Sequence, residues 1–247
     1  MQSILDKVAS LLIEQKKVGK IIGRWAGTQF HAETDKLAHD LIIKELKEFD
    51  ASIPIISEED TVHIEAGDGV FWLVDPIDGT ASYAEGFDGY VSQIALVENY
   101  TPVVAAVIAP QTQEYFFAEK GKGSFKKGKR LICQSNSDIT LIDNSPKAAG
   151  MASNVYEQIS GKRYVESGSL GLKLCRIADG TADVFFKDVI VRDWDIAPGQ
   201  LIIHEAGGFV SDQLGKPINF YGCGKINGII ATSSIELFQS CNALINN

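Results

Sequence analysis

Nine residues, Trp72 to Thr80 (WLVDPIDGT), constrain this chain more than any other stretch, because they set two carboxylates and a hydroxyl at the end of an apolar run. Phe71 to Val74 has the aromatic and β-branched character of a buried strand, and Pro76 lacks the N–H that a central ladder requires, so the strand is predicted to stop near Asp75. Asp78, Gly79 and Thr80 are turn and helix-start residue types, which leaves the following backbone N–H groups available to a phosphate. Asp75 and Asp78 offer hard oxygen ligands three residues apart across a proline-stiffened bend, a spacing that lets both face one Mg²⁺-type ion or bridge two. Two aspartates in a turn also serve as N-cap or Asx-turn residues, so the pattern takes its meaning from the rest of the chain.

The bulk numbers narrow the function classes. With 247 residues, 45% hydrophobic and 22% charged, the chain has length for one large domain or two small ones. A net charge of −9 and a pI near 5.0 argue against a surface that coats a nucleic-acid polymer. An anionic substrate then needs local help, and cations held by grouped carboxylates supply it. Cys133, Cys175, Cys223 and Cys241 have neither zinc nor disulfide-framework spacing and read as buried thiols. Asp6 and Glu14 interrupt the apolar pattern of residues 1–25, and no apolar run reaches membrane-spanning length, so a cytoplasmic protein without stable membrane insertion is expected.

Taken in order, Ile4, Leu5, Val8, Leu11 and Leu12 lie on one helical face, and Leu37, Leu41, Ile42, Leu46 and Phe49 define a second helix with Thr34 as its expected cap and Asp35 in its first turn. Ile53 to Ile56 reads as a short strand ending in Ser57-Glu58-Glu59-Asp60, of which Glu58 is the candidate ligand. Tyr90 to Val97, Val103 to Ala109 and Glu114 to Ala118 read as an antiparallel meander. Gly123 to Arg130 (GSFKKGKR) has the G-x-x-x-x-G-K spacing of a phosphate loop, but Arg130 stands where Mg²⁺ would require Ser or Thr, so a basic hairpin is expected. Residues 131–140 turn polar and small, which divides an N-terminal lobe (1–130) from a C-terminal one (131–247) of alternating strands and helices, among them helices over Val155 to Ser160 and Gly171 to Ala178. Asp195, beside Trp194, is expected directly before a helix with the stripe Ile196, Leu201, Ile202 and Ile203; a plain N-cap would explain it as well as a ligand role.

SEED at 57–60, WLVDPIDGT at 72–80 and WDIAPGQLIIHEAGG at 194–208, together with AETD at 32–35 and GSLGLKLC at 168–175, resemble the inositol monophosphatase superfamily across most of the chain. The resemblance implies an α/β fold, a layered αβαβα sandwich with an antiparallel N-terminal sheet and a mixed C-terminal one. It implies that Glu58, Asp75, Asp78, Asp195 and the Ile77 carbonyl bind two or three Mg²⁺ ions, and that Thr80, paired with Asp35, orients the attacking water. The implied substrate contacts are Gly79, Thr80, Ser169, Lys173, Asp188 and Arg192. Lys173 and SEED resemble the CysQ-type 3′(2′),5′-bisphosphate nucleotidases, and a cation there and at Arg192 would suit a second phosphate; a solvated helix lysine is the plain alternative. Asp188 instead resembles the acidic residue with which inositol monophosphatases bind sugar hydroxyls. The reading that follows is a Mg²⁺-dependent phosphomonoesterase of a small metabolite, with 3′-phosphoadenosine 5′-phosphate favoured over inositol 1-phosphate or fructose 1,6-bisphosphate. Lithium sensitivity and a homodimer are implied by the family alone. A catalytically silent Mg²⁺- or phosphate-binding regulator is the non-enzyme alternative, and the intact Asp35, Thr80 and four carboxylates argue against it.

Overall fold

The computed structural model describes residues 1–18, 23–26, 29–63, 65–134, 137–159 and 161–245. Helix α1 (Gln2–Val18) buries Ile4, Leu5, Val8, Ala9 and Leu12 along one stripe. A hairpin of β1 (Gly23–Ala26) and β2 (Gln29–Ala32) leads into α2 (Glu33–Phe49), which buries Ala38, Ile42 and Leu46. Because α2 already begins at Glu33, Thr34 lies inside its first turn rather than capping it, while Asp35 occupies that turn as expected.

Strands β3 (Ile55–Ser57) and β4 (Val70–Asp78) are followed by the short helix α3 (Thr80–Glu85) and by β5 (Val91–Glu98), β6 (Thr101–Ala109), β7 (Glu114–Glu119), β8 (Gly123–Lys126) and β9 (Lys129–Arg130). The strands form a seven-stranded sheet in sequence order. It is antiparallel from β4 onward, but β3 runs parallel to β4, so the sheet is mixed rather than wholly antiparallel. Residues 58–69 provide the long return that a parallel pair needs. Strands β8 and β9 meet through Lys127 and Gly128, both at positive φ (48° and 78°), so GSFKKGKR is a tight hairpin.

The second half runs β10 (Thr140–Asp143), α4 (Gly150–Gln158), β11 (Arg163–Glu166), α5 (Leu170–Ala178), β12 (Val184–Arg192), α6 (Asp193–Ala206), β13 (Phe209–Asp212), β14 (Lys225–Thr232) and α7 (Ile235–Ile245). Its five-stranded sheet has the order β11-β10-β12-β14-β13, parallel around β10 and antiparallel around β14. Helix α4 starts ahead of the expected Val155, and Ser160, the expected end, lies outside the described residues, as do 135 and 136 in the polar stretch 131–140.

Burial builds the layers. Helices α1 and α2 pack on one face of the seven-stranded sheet over Trp72, Val74, Ile94, Ala106 and Ile108. The other face, with Phe71, Leu73, Ala95, Val107 and Phe116, packs on Leu172, Leu174 and Ile177 of α5 and Ile196, Leu201, Ile202 and Ile203 of α6. Beneath those helices lie Phe185, Val210, Ile229 and Ala231 of the second sheet, whose far side is covered by Val155 of α4 and by Phe238 and Cys241 of α7. This is an αβαβα sandwich with α5 and α6 as its middle layer. Strands buried on both faces have no polar face, which is why β4 reads as an unbroken apolar run.

Candidate active site

Strand β4 does not stop at Asp75. It passes through Pro76 to Asp78 by a bulge: Asp75 pairs with Gln93 and Asp78 with Val91, so three steps on β4 oppose two on β5. The bulge is where a proline is tolerated inside a sheet. The extra residue also inverts the alternation of faces. Phe71 and Leu73 face the middle layer and Trp72 and Val74 face α1 and α2, yet after the bulge it is Ile77 that joins the α1–α2 core. Asp75 and Asp78 thereby come to the same side, facing α5 and α6, where a regular strand would have separated them.

Gln93 of β5 joins these groups. Its Nε2 lies 3.3 Å from Asp75 Oδ2, 3.4 Å from Asp78 Oδ2 and 3.4 Å from the Asp195 carbonyl, the orientation that sets donors against acceptors. Asp78 Oδ1 accepts from the Leu170 N–H at 3.2 Å and Oδ2 from the Gly171 N–H, so this carboxylate sits on the N-terminus of α5. Gly171 has to be small, since a Cβ there would stand 2.3 Å from Gln93 Oε1. Asp195 is the third residue of α6, not the residue before it, and its Oδ2 takes the Arg192 N–H at 2.7 Å. Its carboxylate closes the turn that a cap residue would have closed from outside. Glu58 follows β3, with its N–H on the Val74 carbonyl at 3.1 Å.

Burial, with the Asp195 charge next, pushes Glu58 well up from the ordinary carboxyl range; burial, with Glu58 next, does the same to Asp75. Burial likewise raises Asp78, against the N–H groups of Gly171 and the Lys173 charge, and raises Asp195 to about 7 with Asp78 as the next cause. Glu58 and Asp75 lie close enough to share a proton, and with both ionised the buried Asp75 Oδ1 has no donor. Among the described residues no three His, Cys, Asp or Glu side chains are gathered tightly enough to cage a metal as they stand. The donor set nonetheless fits a hard cation: four carboxylates of like charge, one of them holding an orphaned buried oxygen, with Lys173 acting on Asp78 and Arg192 on Asp195.

Thr80 opens α3, and its Oγ1 lies 3.3 Å from Asp35 Oδ1 and 3.0 Å from the Ile77 carbonyl, so one hydroxyl hydrogen has two acceptors. Gly79 before it adopts φ 91°, and a Cβ there would meet Ser169 Cβ at 3.0 Å, which brings the starts of α3 and α5 together. Ser169 is committed as the cap of α5, accepting from the Leu172 N–H at 3.2 Å.

Lys173 departs from the solvated-helix alternative. It is 3% exposed, so it is no solvated surface lysine, and its ammonium donates to the Gly168 carbonyl at 2.7 Å and the Ser169 carbonyl at 3.2 Å. It lies over the Phe185 ring, and burial lowers it to about 8. Two of the three ammonium hydrogens are thereby engaged by main-chain carbonyls. Asp188 is exposed, in the irregular stretch of β12 between Lys187 and Ile190. Arg192 is half-buried with its guanidinium 5.8 Å from the Trp194 ring centre. Gln93 was missed in the sequence, although a glutamine inside the apolar run Tyr90 to Val97 was a signal. Asp193 was missed too: fully buried, it gathers the N–H groups of Tyr221, Gly222 and Gly224 on one oxygen at 2.7–3.1 Å.

The model of the inositol monophosphatase family matches residues 3–244. A fructose-1,6-bisphosphatase/inositol-1-monophosphatase of Thermotoga maritima is 30% identical over 240 residues, covering 95% of this chain and 92% of its own. A Nus factor SuhB of Xylella fastidiosa is 31% identical over 195 residues, 75% of this chain and 70% of its own. Among solved structures, an IMPase of Thermotoga maritima superposes with a TM-score of 0.83 at 27% identity, covering 98% of this chain and 95% of that one. The chain belongs to the inositol monophosphatase family, whose members are Mg²⁺-dependent phosphatases that hydrolyse phosphate monoesters.

Proposed function

We propose that this chain hydrolyses the phosphate monoester of a small polyol, with inositol 1-phosphate as the representative substrate. The observation that carries the reading is the convergence of Asp75, Asp78 and Asp195 on Gln93, beside Thr80 and its Asp35 partner. Glu58, Asp75, Asp78, Asp195 and the Ile77 carbonyl would hold Mg²⁺, drawn from both lobes of the chain, 1–130 and 131–247. Bound there, the ions supply Lewis acidity that lowers the pKa of water and neutralises charge on phosphoryl oxygens. Thr80 orients the attacking water, accepting its proton as the threonine hydrogen passes to Asp35, because a hydroxyl alone is too weak a base. Gly79 and Thr80, at the start of α3, line the approach of the phosphate.

The polyol is favoured over a 3′(2′),5′-bisphosphate nucleotide because the Lys173 ammonium, which would have served a second phosphate, is turned onto the Gly168 and Ser169 carbonyls. It is also one of the two activities printed in the name of a relative spanning nearly the whole chain, the other being fructose-1,6-bisphosphatase. Arg192 on Trp194 supports the nucleotide as the second reading, since a half-buried guanidinium suits a phosphate dianion. Phosphate release with Mg²⁺, measured as kcat/KM on inositol 1-phosphate, 3′-phosphoadenosine 5′-phosphate and fructose 1,6-bisphosphate with a chelated control, tests the choice. The polyol reading expects inositol 1-phosphate to lead by about 10-fold or more, a difference of about 1.4 kcal/mol. A lead for the nucleotide overturns it.

A further inference from the structure

His63 lies outside every motif that marks the family, yet it touches both lobes beside the carboxylates. Its Nε2 is 3.0 Å from the Ser57 carbonyl and 3.1 Å from the Glu58 carbonyl. Carbonyls only accept, so Nε2 carries the hydrogen and forks it between the two. The imidazole face rests on Trp194, with ring centres 4.8 Å apart and planes tilted by 39°. Trp194 is buried and immediately precedes Asp195. One ring thus spans from the main chain of Glu58 to the residue beside Asp195, two carboxylates that the fold brings together from the end of β3 and the start of α6.

Glu58 needs such a strut. It stands just past the end of β3, beyond the last ladder pair at Ser57 and Val74, so the ladder no longer fixes its main chain. The Glu58 N–H on Val74 holds one side of the peptide, and the forked hydrogen from His63 holds the other. Asp60 Oδ2 on the Ser57 N–H and the His39–Ser57 contact at 2.8 Å brace the preceding residue but leave the Glu58 carbonyl to His63.

We propose that His63 is a positioning residue: by donating to the Ser57 and Glu58 carbonyls while stacked on Trp194, it sets Glu58 against Asp195 and so tunes Mg²⁺ affinity. The proposal rests on the reading of Glu58 as a Mg²⁺ ligand. The hydrogen bond is the active part, and the stack fixes where the ring stands. Outer-sphere partners of metal ligands typically govern affinity by about 10- to 100-fold.

Two variants separate the parts. His63→Phe keeps an aromatic ring for Trp194 and removes the donor; His63→Gln keeps an N–H donor and removes the ring. Mg²⁺ binding to the full chain is read by titration calorimetry, with the melting temperature in chelator recorded for each variant and kcat and KM measured at saturating Mg²⁺. The expected result is a Mg²⁺ dissociation constant raised about 10-fold or more in His63→Phe, mostly restored in His63→Gln, with KM for the phosphate ester unchanged. Wild-type Mg²⁺ affinity in His63→Phe overturns the proposal, as does an affinity in His63→Gln as weak as in His63→Phe. Should His63→Phe not fold, His63→Gln decides by itself: near-wild-type affinity supports the donor, and a 10-fold loss overturns it. Glu58→Gln is the control: weakened binding there with none in His63→Phe rejects the strut alone, whereas no change in Glu58→Gln rejects Glu58 as a ligand.

Discussion

The two ends of α5 hold charge in opposite ways. At the N-terminus Asp78 rests on the Leu170 and Gly171 amides within a group of like-charged carboxylates whose proton affinities are all raised. At the C-terminus Arg176 lies 3.1 Å from Glu114 and 2.9 Å from Asp179, and Lys126 lies 2.7 Å from Asp179. There burial pushes Glu114 up, but hydrogen bonds from Arg176, Lys126 and Thr112 outweigh it and hold the carboxyl at about 2. The carboxyls shift in opposite directions because the N-terminal ones are buried among like charges, whereas the partly buried Glu114 has cationic partners. The C-terminal cluster is complete in itself and ties α5 to β7 and β8. In the proposed reading a cation completes the N-terminal cluster, and the amides of α5 supply the fixed positive end on which Asp78 is held.

The largest effect that could break this contrast is on activity. Asp78→Asn keeps the shape, removes the charge and is expected to lower kcat/KM by at least roughly 100-fold, more than a typical outer-sphere loss. The melting temperature in chelator should hold or rise, since one repulsive charge is gone; a fall of several degrees would make Asp78 a structural carboxylate like Asp179.

Next comes the pH dependence of the chelated protein. The raised carboxyls bind protons when folded at pH values where the unfolded chain has released them, so stability is expected to fall as pH climbs from about 4 to beyond 7. Mg²⁺ at 100 times its Kd adds about 2.7 kcal/mol, or roughly 5–10 °C for a chain of this size, most visibly at pH 8. Thermal melts across that range with and without Mg²⁺ check it, and a flat profile removes the mutual repulsion on which the N-terminal cluster depends. Glu114 behaves oppositely: its contribution is present above the ordinary carboxyl range and is lost as pH falls through about 2.

Arg176→Met sharpens the other side. It leaves Glu114 and Asp179 less compensated at a partly buried site and is expected to cost roughly 2–3 kcal/mol, seen as a melting temperature lowered by about 5–10 °C with kcat within a factor of about 2. A large loss of kcat at wild-type stability would mean that the C-terminal end also works in the chemistry. The smallest difference is in Lys173→Met. Losing the donor to the Gly168 and Ser169 carbonyls should reduce kcat/KM on inositol 1-phosphate and on 3′-phosphoadenosine 5′-phosphate alike, within about 3-fold of each other. A selective loss on the nucleotide would return the ammonium to the substrate.

The family was legible in the sequence because the acidic motifs and the central nonapeptide are local signals, and the αβαβα layering followed from that resemblance. What was not legible is non-local. Pro76 correctly marked a break in the ladder of β4, but whether a strand ends or bulges depends on the register of β5, which no window around Asp75 contains. Lys173 could be read as substrate ligand or solvated side chain, and its burial became visible only when the 168–169 turn folded back over it. The parallel β3–β4 pair was hidden for the same reason, since a short strand carries no sign of its neighbour's direction. Gln93 had a local signal, a polar residue within an apolar run, and its meaning required three partners from three parts of the chain.

The bulge in β4 has a consequence for how this segment can change. Because the bulge is what turns Asp78 to the side of Asp75 across three steps, the two carboxylates share a face only while the bulge and that three-step interval are kept together. Straightening the ladder there with all three steps kept would leave every residue in the chain and would rotate one carboxylate into the apolar layer beneath α1 and α2. Spacing, in this segment, is as much a chemical reagent as the side chains it separates.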